Sequence, residues 1–320
     1  MFYLTHINFL ISLFWGSQDT SFVKCEKLKC LVNYFNRVNE DFDHFAGVIT
    51  FERRVLSNMI RPDWRNSDKK LTHLKVESTG TIDQDGKGFS QVDFASSSIG
   101  SNVLHGMCLR EEILFLTHPE LIVARLFTEK LNDQESLIVT GCAQFNECLG
   151  YANSFKWSAD KREELSLDGW GRPHRQFVLI DALEYRQRHT QYKFDKIERE
   201  LNKAFCGFHD SSQYRLRVRP AIASGNWGCG AFNGDTYLKS LIQLLAASEA
   251  ERDLILFTFN DNYTKNEVKR FYEIMRERNH SVKDITRVME RHPFPNSESR
   301  FEFNYLSFLL TKFELSSSPA

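Results

Sequence analysis

Apolar and polar positions along the chain follow two periods, and the switches between them mark out the elements. Gln91–Ala95 alternates, with Val92 and Phe94 on one face, which predicts a half-buried strand. Short apolar runs at Leu137–Val139, Phe177–Ile180 and Leu254–Phe259 predict buried strands, and Ala221–Ala223 a strand end. Leu74–Ile82, with Val76 and Ile82 around Gly80, predicts one or two further strands before a turn at Asp83–Gly88. Helical spacing places Leu28, Leu31, Val32, Phe35 and Val38 on the apolar side of a helix over Val23–Val38, with Lys and Arg opposite. Similar spacing predicts helices over Glu120–Leu131 behind Pro119, Phe194–Phe205, Leu238–Ala250, Lys265–Arg278, Ser281–Met289 and Tyr305–Phe313. Phe45–Asn66 is mixed in pattern. Asn146–Phe155 reads as a loop and Lys161–Gly171 as an exposed segment.

Strands that alternate with helices predict an α/β fold of three layers, α/β/α. The strand–loop–helix–strand unit ending at Leu254–Phe259 requires part of the sheet to be parallel. Composition adds bounds. With 320 residues, 42% hydrophobic and 26% charged, the chain has material for a full core, and a net charge of −1 gives no global field toward nucleic acid. The seven cysteines are odd in number and include no C-x-x-C pair, which argues for a reducing compartment and against a structural zinc site. The ten histidines show no metal spacing, and no metal or other cofactor is expected. Phe2–Trp15 is apolar but lacks a basic leader and the length of a membrane span. It reads as a packed helix or the start of a truncated chain.

Two loops carry the candidate chemistry. Ser96–Asn102, small or turn-prone apart from Ile99, leads from the first strand toward Glu111-Glu112 at a helix start. Gly225–Asp235 is rich in glycine and precedes another helix, a pattern that presents backbone N–H groups to an anion. It is neither a Walker A loop nor a dinucleotide fingerprint. An anion cradle beside carboxylates fits glycosidic chemistry, in which a carboxylic acid protonates the leaving oxygen and a carboxylate activates water. Adjacent residues on a helix point about 100° apart, so one glutamate acts on the bond and the other positions.

The run VDFASSSIGSNVLHGMCLREEILFLTHPELIVARLF resembles the signature region of poly(ADP-ribose) glycohydrolases. Further matches follow in order at Gly150-Tyr151, RELNKAFCGF, GNWGCGAFNGD and AERDLILFTFND, with KLKCLVNYFNRV and VITFERRVL before them. The resemblance implies a macrodomain-like catalytic domain over 71–315 with a mixed sheet and flanking N- and C-terminal helices. Residues 1–70 would be a helical segment remaining from an accessory domain, and 316–320 a disordered tail. It implies hydrolysis of ribose–ribose bonds in poly(ADP-ribose). Glu112 would be the acid/base, and Glu111 would bind the neighbouring ribose. Tyr151 and Phe259 would clamp ADP-ribose, Asn226, Gly230, Ala231 and Phe232 would line the diphosphate side, and Ile82 and Asp83 would meet the adenine. The implied partner is polymer on modified proteins, met by a monomer in nucleus or cytoplasm during DNA-damage signalling. Neither a membrane nor a specific nucleic-acid sequence is implied.

The departures fall within the signature. The family's triple glycine reads Gly100-Ser101-Asn102, its Gln-Glu-Glu reads Arg110-Glu111-Glu112, Ser96 stands where Asn is common, and Asp83 replaces Glu. Side chains at Ser101 and Asn102 raise the prospect of backbone strain in a ligand loop. Ser101 as a donor and Arg110 as a cation offer the opposite effect. Three readings follow: an active glycohydrolase, an ADP-ribose reader with little or no turnover, or a structural or divergent paralogue with neither function.

Overall fold

The computed structural model describes residues 21–40, 47–106, 108–163, 166–210, 219–294 and 304–317. The apolar stretch Phe2–Trp15 lies outside them, as do the last three residues of the expected tail. The expected α/β/α architecture is met by a mixed sheet with flanking helices. Its strands are β1 (Thr50–Val55), β2 (Leu74–Glu77), β3 (Ser90–Ala95), β4 (Glu135–Thr140), β7 (Gln176–Asp181), β8 (Ile222–Gly225) and β9 (Leu254–Phe257), ordered β1-β4-β7-β3-β8-β9-β2. A separate two-stranded sheet pairs β5 (Asn146–Leu149) with β6 (Lys156–Asp160).

The chain forms two compact units. The first takes the described residues up to Arg53, with Asp93–Asn132 and Leu137–Leu179. In it β4 runs antiparallel to β7, with Leu137 opposite Leu179. Its core holds Ile99, Val103, Leu114, Phe115, Leu116, Leu121 and Phe177, all buried. Each such side chain contributes roughly 1.5–3 kcal/mol by leaving water. Helix α1 (Ser21–Glu40) matches the expected segment, but its buried side differs from the expected one. Leu28, Val32 and Phe35 are exposed, whereas Val23, Glu26, Lys27 and Cys30 are buried. The reason is polar. Lys27 Nζ donates to the carbonyls of Val103 and His105 at 2.7 and 2.6 Å, satisfying a loop that would otherwise bury bare acceptors. The segment expected as a loop at Asn146–Phe155 is the β5–β6 hairpin strand and a short 3-10 turn, Ala152–Ser154. The helix expected at Glu120–Leu131 is a 3-10 helix, Pro119–Leu126.

The second unit comprises Arg54–Val92, Asp133–Ser136 and the described residues from Ile180 onward. Here β3, β8, β9 and β2 are parallel neighbours, with Gln91 opposite Ala223, Ala223 opposite Ile255, and Val76 opposite Leu256. Strand β3 was expected half-buried. It is a central strand, and Gln91 and Asp93 are buried as well as Val92. Gln91 is kept satisfied by donating Nε2 to Ile82 O at 3.1 Å. Ile82 starts a helical turn, α2 (Ile82–Asp85), rather than ending a strand, because the Thr81 side chain caps Gln84 N–H. Helices α4 (Phe194–Phe208), α5 (Thr236–Glu249), α6 (Asn262–Glu277), α7 (Val282–Arg291) and α8 (Tyr305–Ser317) complete this unit. Asp235 and Asp261 accept N–H groups in the first turns of α5 and α6, at 2.8 and 2.9 Å.

Candidate active site

In the first unit, β3 delivers the chain into the loop from Ser96, and helix α3 (Arg110–Thr117) follows. Gly100 adopts φ +65°, and a Cβ there would lie 2.7 Å from the Phe115 ring and 3.3 Å from Arg125 Cδ. Only glycine fits both demands. Ser101 and Asn102 do not adopt positive φ, so the strain expected from their side chains does not arise. Of Gly100-Ser101-Asn102, Gly100 alone has a backbone that requires glycine.

The two glutamates are both buried and differ in what they hold. Glu111 is the second residue of α3 and 6% exposed. Its Oε1 accepts Gly100 N–H at 2.7 Å and its Oε2 accepts Ser96 N–H at 3.1 Å, so one carboxyl straps both ends of the loop. Burial, then the negative Asp93 beside it, pushes the Glu111 carboxyl well above the usual range, against the pull of those two N–H donors. Glu112, 4% exposed, accepts Leu109 N–H through Oε2 at 2.8 Å, which is half of a capping box at the helix start. Its Oε1 has no hydrogen-bond partner among the described residues. Buried Lys27 feels the Glu112 charge: burial lowers its ammonium from the usual value, and Cys108 and then Glu112 oppose this.

Arg110 opens α3 with its guanidinium 5.0 Å from the centre of the Phe94 ring. Tyr151 is 56% exposed and sits where Gly150, at φ +76°, turns the chain out of β5. Ala152 N–H donates to Cys108 O at 2.7 Å, which ties the tyrosine's loop to the residue preceding Leu109. The Tyr151 phenol is pushed up by partial burial first and then by the Glu112 charge. Ser96, Gly100, Arg110, Glu111, Glu112 and Tyr151 are thus gathered around one helix start, whereas Asn102 is exposed on the loop's outer side.

The second unit holds the other expected residues. Its loop leaves β8 at Gly225 and enters α5 at Asp235. Gly228 adopts φ +74°, and a Cβ there would lie 2.6 Å from Ala182 Cβ and 3.1 Å from Lys239 Nζ. Gly234 N–H donates to Gly228 O at 2.9 Å and Asn233 N–H to Gly230 O at 3.0 Å, curling the loop on itself. Three consecutive N–H groups, those of Gly230, Ala231 and Phe232, have no acceptor among the described residues. Gly230 and Ala231 are exposed and Phe232 is half-buried. Phe259, just beyond β9, is 38% exposed and holds φ +53°, a conformation a bulky residue rarely takes. Its ring lies over Gly225, where a Cβ would come within 2.8 Å of it. The long apolar run was expected to stay a strand as far as Phe259, but pairing stops at Phe257 and the ring is presented outward. Ile82 is fully buried and Asp83 exposed, on a turn packed near Ala223 of β8.

Several supporting residues carried no sequence signal of their own. Lys239 and Glu200 form a fully buried ion pair, with the ammonium 4.2 Å from the Trp227 ring centre. Trp227 Nε1 donates to Ile180 O at 3.1 Å. Behind the first loop, buried Lys27 donates to the Val103 and His105 carbonyls, and buried Asp93 lies beside Glu111. Charged residues at buried helix and strand positions look like solvent-facing ones until the fold is known.

Residues 61–266 match the family described as poly(ADP-ribose) glycohydrolase, macro domain fold, and residues 3–53 match its helical domain. The chain is similar to a probable poly(ADP-ribose) glycohydrolase 2 of Arabidopsis thaliana, 27% identical, covering 89% of this chain and 62% of that protein. It is 30% identical to poly(ADP-ribose) glycohydrolase 1 of the same plant, over 75% of this chain and 55% of the relative. Poly(ADP-ribose) glycohydrolase 2 of Caenorhabditis elegans is also 30% identical, over 85% and 57%. The chain therefore spans little more than half the length of these relatives. Among solved structures, poly(ADP-ribose) glycohydrolase from Deinococcus radiodurans in complex with ADP-ribose is 15% identical, covering 70% of this chain and 94% of that one, at a TM-score of 0.40.

Proposed function

The chain belongs to the poly(ADP-ribose) glycohydrolase family, and on that premise we propose that it hydrolyses ribose–ribose O-glycosidic bonds of poly(ADP-ribose) and releases ADP-ribose. The observation that carries this reading is the state of Glu112. It is buried at a helix start, one carboxyl oxygen is fixed by Leu109 N–H, and the other has no hydrogen-bond partner among the described residues. A group held this way is aimed but not consumed by the fold. Glu112 donates a proton to the leaving ribose oxygen as the glycosidic bond breaks through an oxocarbenium-like centre, then takes a proton from the attacking water.

Glu111 acts through the loop. Its two accepted N–H bonds fix Ser96 and Gly100, and with them the backbone that faces the ribose. Tyr151 contributes an aromatic face beside Glu112. In the second unit, the N–H groups of Gly230, Ala231 and Phe232 receive the diphosphate, with Asn226 at the loop's start. Phe259 meets the ligand with its exposed ring, and stacking of this kind contributes about 1–3 kcal/mol per base. Its strained φ is the kind of backbone outlier that accompanies ligand contact. Ile82 and Asp83 take the adenine side. The polymer is carried on modified proteins and met in nucleus or cytoplasm by a monomer. Since it is polyanionic, encounter weakens with salt.

Incubation with labelled poly(ADP-ribose), followed on gels, tests the reading. ADP-ribose should appear, and Glu112→Gln should slow its release by roughly 10²–10⁴-fold while leaving the Leu109 N–H an acceptor. Calorimetric binding of ADP-ribose with no release from the unaltered chain would select the reader instead. Among the described residues no helix is long and apolar enough to cross a membrane.

A further inference from the structure

Cys30 on α1 and Cys148 on β5 are 118 residues apart in sequence, yet their Sγ atoms are 3.8 Å apart. Both are free thiols, Cys30 buried and Cys148 half-buried. The Cys30 thiol is also within hydrogen-bond distance of Glu26 O of its own helix, at 3.5 Å. Cys148 stands where the β5–β6 register shifts, and a bulge of this kind re-aims a side chain. The backbones on both sides are tied together. Asn146 Nδ2 donates to Cys30 O at 3.2 Å, Asn33 Nδ2 to Asn146 Oδ1 at 3.0 Å, and Trp157 N–H to Glu26 Oε2 at 3.0 Å. The sulfurs are neighbours because two elements are laced together around them, not because two flexible side chains happen to meet.

Two packed thiols are often no more than small apolar filler. Here one of the pair is half-buried and the other, fully buried, lies 3.8 Å from it. That is the arrangement of an oxidisable cysteine beside its resolving partner. A disulfide bond is about 2.05 Å long, so closure needs roughly 2 Å of sulfur movement, within reach of side-chain rotation.

We propose that Cys148 and Cys30 form a peroxide-oxidised modification site that closes to a reversible disulfide. The Cys148 sulfur attacks one oxygen of hydrogen peroxide, the O–O bond breaks, and the first water leaves with the Cys148 proton. The resulting sulfenic acid is attacked at sulfur by Cys30, the S–O bond breaks, and the second water leaves with the Cys30 proton. Two thiols lose two electrons in total and the peroxide gains them. Its hydrogen bond with Cys148 and then its burial hold the Cys30 thiol well above the usual range, so Cys30 does not react with peroxide first, and what brings it into the second step is its sulfur lying 3.8 Å from that of Cys148. Burial pushes nearby Cys108 up to about 12, which keeps it out of the exchange. The bond ties α1 to the strand that leads into Gly150 and Tyr151, and reduction by an added dithiol reopens it.

The full reduced chain, treated with graded hydrogen peroxide, then alkylated and digested without reductant, tests this. The expected product is a Cys30–Cys148 linked peptide as the main cross-link, lost on treatment with dithiothreitol. In Cys30→Ser, Cys148 should pass on to sulfinic acid, because nothing resolves it. Peptide mapping of the unaltered chain does not depend on any variant folding. Cys148 fully alkylated at peroxide doses that oxidise exposed Cys25 would overturn the proposal. So would Cys148 linked to a different cysteine, or equal sulfinic acid formation with and without Cys30.

Discussion

The loop after β3 and the loop after β8 are both small-residue turns leading from a parallel strand to a helix, and they are built on opposite plans. The first contains one obligatory glycine and is held from behind by a carboxyl, Glu111, that accepts an N–H from each end. The second contains several glycines, is curled by its own backbone bonds, and rests on the buried Lys239–Glu200 pair. The first is strapped by a buried carboxyl at the same helix start that holds Glu112, the proposed acid/base group. The second leaves the N–H groups of Gly230, Ala231 and Phe232 without an acceptor among the described residues. Within Gly100-Ser101-Asn102 only Gly100 has a positive φ.

Three further experiments press on this contrast, after the loss expected from Glu112→Gln. The largest effect is expected from Gly100→Ala. A left-handed φ costs about 1–2 kcal/mol and the collision with Phe115 about as much again, so denaturant unfolding should show a loss of roughly 2–4 kcal/mol. The counterpart Gly230→Ala meets nothing within 4 Å and should leave stability within about 0.5 kcal/mol while weakening ADP-ribose binding roughly tenfold. Equal stability losses at the two sites would erase the distinction.

The next effect concerns the buried carboxyls of the first unit. Glu120 accepts Ala143 N–H at 2.8 Å, and burial raises its carboxyl to about 7. An unfolded glutamate titrates near 4.3. The folded state then keeps a proton that the unfolded state releases, so stability falls as pH rises through that window, by up to ~3 kcal/mol. Glu120→Gln keeps the acceptor and should flatten the dependence of unfolding free energy on pH between about 4 and 7. An unchanged slope would show that the carboxyl is not desolvated in solution.

The smallest effect is expected from replacing Ser101 and Asn102 by glycine. Ser101→Gly with Asn102→Gly should change kcat/KM by less than about twofold, under 0.4 kcal/mol, because neither residue needs a left-handed backbone. A large gain in polymer hydrolysis would mean that the side chains themselves, rather than the backbone, obstruct the ligand.

Much of this molecule was legible in the sequence. Leu137–Val139, Phe177–Ile180 and the βαβ unit around Leu238–Ala250 are strong apolar patterns, and strands and helices formed there within a few residues of expectation. Glu111 and Glu112 at a helix start were legible for the same local reason, since acidic residues complement the first turn. The two loops stood out through their small residues.

Other features were not local and stayed hidden. The apolar stripe of α1 predicted one buried face, but the carbonyls of Val103 and His105 needed a donor, and Lys27 turned inward to supply it. The β5–β6 hairpin was missed because its side chains pack on one face only and carry a register shift at Glu147 and Cys148. Phe259 read as the end of a strand until the pairing was seen to stop two residues earlier. What the amino-acid order determined alone was where elements form and which residue types lie at strand ends, because periodicity and capping act over a few residues. Which glycine is obligatory, which glutamate straps and which is left open, and which cysteines meet were decided only by the tertiary structure. Those depend on neighbours dozens of residues away that burial brings within bonding distance.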